Sequence, residues 1–309
     1  MKKIAFTILV LVLGLTNAWA EGNSVNSGVR TIKSPRFARP LIEKWIEEYA
    51  KTEPGVEFQI AKGSGNQDNV DLNVTFSDNQ DNNEKVFNQI IYFGETAVLP
   101  ITARSSEAAH LLEGKHLNSK KLKQLFFLNE DFDEDVKKIK AFESIIIYSG
   151  SNVSSIASSF AHHFGEESSS FRGKRISGDD LFLNTAISKD PLGVTFNTLS
   201  NIFDLKSRHL KDNLSLIGLD LKKEFANSIS DNGTLDEVLD ALENGSPAEV
   251  TIEKVGVTFN AADDAVNHFL QWILENGTKY NHEYGLLNLD RKEASTQIEK
   301  VRTVLTAQK

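Results

Sequence analysis

The stretch Glu143–Gly165, ESIIIYSGSNVSSIASSFAHHFG, constrains the fold of this chain more than any other. Ile145, Ile146 and Ile147 form a short continuous apolar run, the pattern of a strand buried on both faces. Tyr148–Ser155 then places hydroxyl and amide side chains around a single glycine, which is loop chemistry. Ile156, Ala157, Phe160 and Phe164 follow at helical spacing, so a helix is predicted to start near Ser154. A strand–polar loop–helix unit points backbone N–H groups and the positive end of a helix dipole into a crevice, a geometry that captures anions.

The same alternation of strand and helix runs through the rest of the chain. Gly28–Lys33 reads as a short strand. Pro40 opens a helix with Leu41, Ile42, Trp45, Ile46 and Tyr49 on one face and Glu43, Lys44, Glu47 and Glu48 on the other. Val56–Ala61 and Val70–Phe76 alternate as strands do, separated by the Gly63-Ser64-Gly65 turn. Two apolar runs, Ile90–Phe93 and Ala97–Leu99, precede helices predicted over 105–112 and 118–127. Beyond the opening stretch, 166–180 reads as a second polar loop and 201–224 as mixed. Helices are predicted over 181–188, 234–242, 261–276 and 293–305, with strands over 194–199 and 250–259. This order argues an α/β fold with largely parallel or mixed sheets.

The first twenty residues stand outside that pattern. Lys2 and Lys3 precede the apolar run Ile4–Leu15, and Ala18-Trp19-Ala20 is an A-x-A cleavage site. The segment reads as a secretory signal peptide cut after Ala20, and a Met-Lys-Lys start points to a bacterial periplasm. There is no cysteine, so disulfides and thiolate metal sites are excluded. With 43 acidic side chains against 34 basic ones the net charge is −9, which argues against nucleic acid as a partner. A small anion is compatible with that charge, because a pocket's local field differs from the net.

Several chemical motifs fail on inspection. Asp131, Asp133 and Asp135 have calcium-loop spacing, but Val136 stands where glycine is needed and Phe142 where glutamate is needed. His162 and His163 are adjacent, and adjacent helical residues point about 100° apart, which makes them poor co-ligands. Gly173-Lys174 lacks the remainder of a phosphate loop, and Ser149-Gly150-Ser151 is no nucleophile elbow. No metal, cofactor or enzymatic function is expected.

Four stretches resemble the periplasmic phosphate-binding proteins of ABC transporters. Phe37-Ala38-Arg39-Pro40-Leu41-Ile42-Glu43-Lys44-Trp45 is similar to the family's F-x-x-P-L-x-x-x-W at its first long helix. Leu111–Phe127 resembles the helix after the first crossover, and Asp190–Leu199 the G-x-I-G-Y strand. Phe269–Leu289 resembles the terminal F-L-x-W-x-L-x-x-G-Q-x-Y-x-x-x-L-G-Y-x-x-L, with Trp272, Gly277, Tyr280 and Gly285 in register.

The resemblance implies an α/β, two-lobed substrate-binding (type II) fold, with mixed central sheets flanked by helices and a hinge between lobes. One lobe comprises residues 21–100 and 248–309, the other 101–247. It implies ligand contacts from Arg36 and Phe37, where the family has a Ser/Thr–Phe pair, from Ser64, and from Ser151, Asn152 and Ser154 in the loop of the opening stretch. The family's arginine in that loop falls on Tyr148, and its acidic acceptor after the strand at 70–76 falls on Phe76. A buried dianion without that arginine loses charge-assisted bonds of about 1.5–3 kcal/mol each.

The function implied is capture of phosphate or a related oxyanion by a monomeric periplasmic protein that delivers it to an ABC permease. The alternative is a non-transport interaction or signalling protein that keeps the fold with an altered pocket.

Overall fold

A single long strand organises the chain. The computed structural model describes residues 28–61, 70–76, 89–128, 139–151 and 156–307. Its strands are β1 (Arg30–Lys33), β2 (Phe58–Ile60), β3 (Leu72–Phe76), β4 (Gln89–Ala103), β5 (Ile146–Gly150), β6 (Lys174–Ile176), β7 (Gly193–Thr198), β8 (Leu214–Leu216) and β9 (Thr251–Phe259). They form one curled mixed sheet in the order β2-β1-β3-β9-β4-β7-β5-β6, with β8 also on β4. The helices are α1 (Arg39–Thr52), α2 (Glu107–Leu112), α3 (Ser119–Phe126), α4 (Ala157–His163), α5 (Leu181–Lys189), α6 (Leu199–Ile202), α7 (Lys223–Ala226), α8 (Leu235–Glu243), α9 (Asp264–Trp272) and α10 (Arg291–Ala307). This is the α/β fold with a mixed sheet flanked by helices that the sequence leads one to expect.

The two apolar runs read between residues 90 and 99 belong to one 15-residue strand, β4. Its first part, Gln89–Val98, pairs with β9, and its second part, Val98–Thr102, pairs along the other edge with β7. Pro100 sits inside this strand without breaking it. Its carbonyl accepts the Ile217 N–H at 3.0 Å, so its nitrogen faces the same edge, between Thr251, the first residue of β9, opposite Val98 and Leu216, the last residue of β8, opposite Ile101. A proline nitrogen costs no ladder bond at such a break.

The registers also fix where the strands end. β1, β2 and β3 are parallel to one another, and β3 runs to Phe76, opposite Val255 of β9, which lies opposite Gly94 of β4. β5, β6 and β7 are parallel to one another and run against β4, with β7 ending at Thr198 opposite Val98. Two sets of parallel strands therefore run toward each other, and their carboxyl ends converge on residues 94–98 of β4. Loops beyond the carboxyl ends of strands are where open α/β sheets hold ligands.

Each half has an aromatic core. In the first, Phe58 stacks on Phe269 at 4.1 Å and Trp45 meets Phe93 edge-on at 4.8 Å. In the second, Phe160 of α4 stacks flat on Phe196 of β7 at 4.1 Å, with Phe126 and Phe171 packed against the pair. The first half's core also joins two motifs distant in sequence. The Trp45 indole N–H donates to the Gly277 carbonyl at 2.9 Å, and a Cβ on Gly277 would lie 2.9 Å from that ring nitrogen. Gly277 closes a π-helical turn, Ile273–Gly277, that follows α9 where a continuous helix was expected to residue 276.

The opening stretch departs from its expected boundaries. β5 runs through Tyr148, Ser149 and Gly150, read from sequence as loop, because β6 pairs alongside at Lys174, Arg175 and Ile176. β6 itself lies within the expected polar loop at 166–180. It is a short edge strand whose Lys174 and Arg175 are exposed, so it carries no apolar alternation to read.

Candidate functional site

Three loops lie at the convergence of strand ends: Ser34–Ala38 after β1, Ser151 after β5, and Ser177–Asp180 after β6. The Ser34–Ala38 loop is short because Pro35 and the single turn Arg36–Ala38 lead straight into α1. That turn divides its side chains by chemistry. Phe37 is buried and stacks on Phe76 at 5.2 Å with the rings nearly parallel, so the two aromatic positions at the carboxyl ends of the first strand set form one apolar wall. Arg36 points the other way and keeps about half its side chain exposed, at 53 %.

The Arg36 guanidinium meets Asp179 at 3.8 Å. This contact joins the loop after β1 to the loop after β6 and so links the two converging strand sets. Asp179 also begins α5, since its Oδ1 accepts the Leu181 N–H at 2.9 Å. The adjacent Asp180 has a different partner. Its Oδ2 accepts the Ile156 N–H at 3.2 Å, immediately before α4, in the place where the sequence puts an anion-binding turn.

A buried amide network holds these aspartates from below. Asn197 of β7 donates to the Asp180 carbonyl at 2.8 Å and to Asn184 Oδ1 at 2.9 Å. Asn201 in turn donates to Asn197 Oδ1 at 2.9 Å, and Asn184 to the Asn201 carbonyl at 2.9 Å. Amides that satisfy one another in this way rigidify what they touch. The 179–180 turn is thus a fixed feature of the second strand set.

The other expected site residues fall as follows. Ser151 is exposed, and its hydroxyl donates to the Ile176 carbonyl at 3.3 Å, which fastens the end of β5 to the end of β6. Ser64, Asn152 and Ser154 lie outside the described residues. Tyr148 is buried, and its hydroxyl donates to Asp190 at 2.7 Å while Lys174 donates to it at 3.2 Å. Asp190 precedes β7, so the Tyr148 hydroxyl is committed to the amino end of the neighbouring strand. Burial and the bond to Asp190 push the Tyr148 phenol up, which keeps it a neutral donor.

Asp179 and Asp180 escaped the sequence reading because both sat in what looked like an ordinary polar loop before a helix. The one available signal was the doubled aspartate itself, more acid than a helix start needs. Among the described residues no group of three or more His, Cys, Asp or Glu side chains is placed to hold a metal ion. No described helix is long and apolar enough to cross a membrane.

No known family description and no curated protein matches the sequence. Solved structures do resemble the fold. A protein assigned as a phosphate ABC transporter substrate-binding protein from Clostridium perfringens, solved with bound phosphate, is similar with a TM-score of 0.58 at 12% identity, over 85% of this chain and 100% of that one. An ABC-type phosphate transport receptor from Vibrio cholerae is similar with a TM-score of 0.52 at 11% identity, again over 85% of this chain and 100% of that one. At such identities the likeness speaks for the fold.

Proposed function

We propose that this chain is an exported two-lobed binding protein that captures a small oxyanion, phosphate or a relative, and hands it to an ABC permease. In this reading residues 1–20 are removed after Ala20, residues 21–100 and 248–309 form one lobe, and residues 101–247 form the other. β4 and β9 cross between them as the hinge. The ligand lies at the converging carboxyl ends of the strands, against Arg36, the Phe37–Phe76 wall and the Ser64 and Ser151–Ser154 loops.

The observation that carries the reading is the pairing of Arg36 with a carboxylate from the opposite strand set. A carboxylate is itself an oxyanion, so its presence there supports an anion-accepting field at the convergence despite the net charge of −9. Titration calorimetry of the purified protein with phosphate and sulfate tests it. Saturable binding that weakens at least about tenfold in Arg36→Ala is expected, since one lost charge-assisted bond is worth about 1.5–3 kcal/mol. Equal affinity in Arg36→Ala would remove Arg36 from the site.

A second reading, a periplasmic interaction or signalling protein with no transported ligand, is favoured by Asp180. Its carboxylate already takes the Ile156 N–H that an anion at the α4 turn would use. Absence of binding to either anion would support this reading over the first.

A further inference from the structure

We infer that Asp179 is a built-in competitor for the anion site: it occupies Arg36 in place of a ligand oxyanion, and an incoming anion has to displace it. The inference rests on the oxyanion reading above and names the residue that sets its affinity.

The argument starts from placement. Asp179 belongs to the loop after β6 and Arg36 to the loop after β1, and their contact at 3.8 Å spans the place where the two strand sets converge. Asp179 does not arrive there by chance of a floppy side chain. Its Oδ1 accepts the Leu181 N–H, its carbonyl accepts the Phe182 N–H at 2.9 Å, and the next residue is pinned by Asn197 and by Ile156. The carboxylate is therefore presented to Arg36 at little conformational cost, as a preorganised ligand is.

Magnitude then decides whether this contact locks the site or only competes for it. The two side chains are 53 % and 24 % exposed, and ion pairs of that exposure contribute little, about 0–1 kcal/mol. A lock would need far more. Converted to affinity, the contact lowers anion binding by up to about fivefold, and the unpaired carboxylate left behind repels a dianion further. Affinity is thus set by competition, strongest against dianions and weaker in high salt, where the pair is screened.

Asp179→Asn is the direct test, because the amide keeps an Oδ1 acceptor for the Leu181 N–H while it removes the charge. Asp179→Ser, which keeps a hydroxyl acceptor, serves as a second variant if thermal melting shows that the first is misfolded. Phosphate binding is measured by calorimetry at low salt for the wild type, Asp179→Asn and the double variant Arg36→Ala/Asp179→Asn. The expected result is phosphate binding tighter in Asp179→Asn than in the wild type, by up to about fivefold from the lost contact and more for a dianion, with the gain lost in the double variant. Wild-type binding matched by Asp179→Asn, or a gain that survives loss of Arg36, would overturn the competitor role and leave the oxyanion reading standing. No binding by either protein would overturn both.

Discussion

Glu95, in the middle of β4, shows how a single side chain responds to its position at the crossing of the two strand sets. Burial pushes its carboxyl above the ordinary glutamate value, against the pull of Lys254, and Asp290, Glu253 and Glu293 add to the rise. A carboxyl whose folded pKa is raised contributes its stability at low pH and loses it as pH rises through that folded value. Glu95→Gln is therefore expected to raise Tm at pH 7 and to lose that advantage below about pH 4, where glutamate is protonated in both states. A melting series across pH checks this, and an advantage that grows toward low pH would refute the sign. Gly277 belongs to the same scale. Its backbone angles are ordinary at φ −81°, so the need for glycine comes from the Trp45 ring alone, and Gly277→Ala is expected to cost about 1–3 kcal/mol by overpacking. Trp45→Phe loses the indole donor to the Gly277 carbonyl, about 1 kcal/mol, and also leaves a cavity where part of a fully buried ring system stood, which adds to that cost. Denaturant midpoints of the two variants rank the effects.

At the scale of elements, helix starts were the most legible features. Thr234 and Glu237 form a reciprocal capping box at the start of α8, and the sequence placed that helix within a residue. Thr234→Ala is expected to cost about 1 kcal/mol, seen as faster hydrogen exchange in the first turn of α8. α4 begins at Ala157 and not near Ser154, but it was also visible through its apolar spacing, and its packing explains why. Phe160 sits between Phe196, Phe126 and Phe171, so Phe160→Ala is expected to cost about 3–5 kcal/mol, measured by urea unfolding. Strand limits were harder to read. β6 shows only exposed side chains at Lys174 and Arg175, and β5 ends in hydroxyl and glycine residues because its partner supplies the ladder. Backbone pairing leaves no mark on side-chain pattern when the residues involved lie at an edge.

The whole molecule is held across its middle by more than the two long strands. Arg208, which adopts a left-handed φ of +63°, grips Asp236 at 3.1 Å through Nε and donates to the carbonyls of His282 at 2.8 Å and Glu283 at 3.1 Å. Glu243 of α8 reaches His282 at 2.7 Å and the Asn288 N–H at 2.6 Å. The segment after α9 is thus clamped to α8 and bonded to β4 through Leu287 and Glu95. A left-handed backbone at a non-glycine residue persists only where its surroundings hold it. Arg208→Ala keeps the strain and loses the fork, so a loss of about 2 kcal/mol is expected, together with faster hydrogen exchange at His282–Gly285. Unchanged exchange there would mean that Glu243 and Leu287 suffice.

Local spacing along the chain dictates the alternation of strands and helices and the aromatic faces of α1, α4 and α9, and it carries the resemblance that pointed to the fold. These follow from local spacing and from which side chains need burial, both of which are written along the chain. The resemblance also implied ligand contacts from Arg36 and Phe37, and put Tyr148 and Phe76 where the family has a cation and an acid. What stands opposite Arg36 depends on how the folded chain brings distant loops together. Asp179 is 143 positions away, and nothing local distinguishes it from any other aspartate before a helix. It becomes a partner because two sets of parallel strands, running in opposite directions along β4, bring the loops after β1 and β6 together at their carboxyl ends. A charge pair is a property of distance in space, and that distance is fixed by strand register.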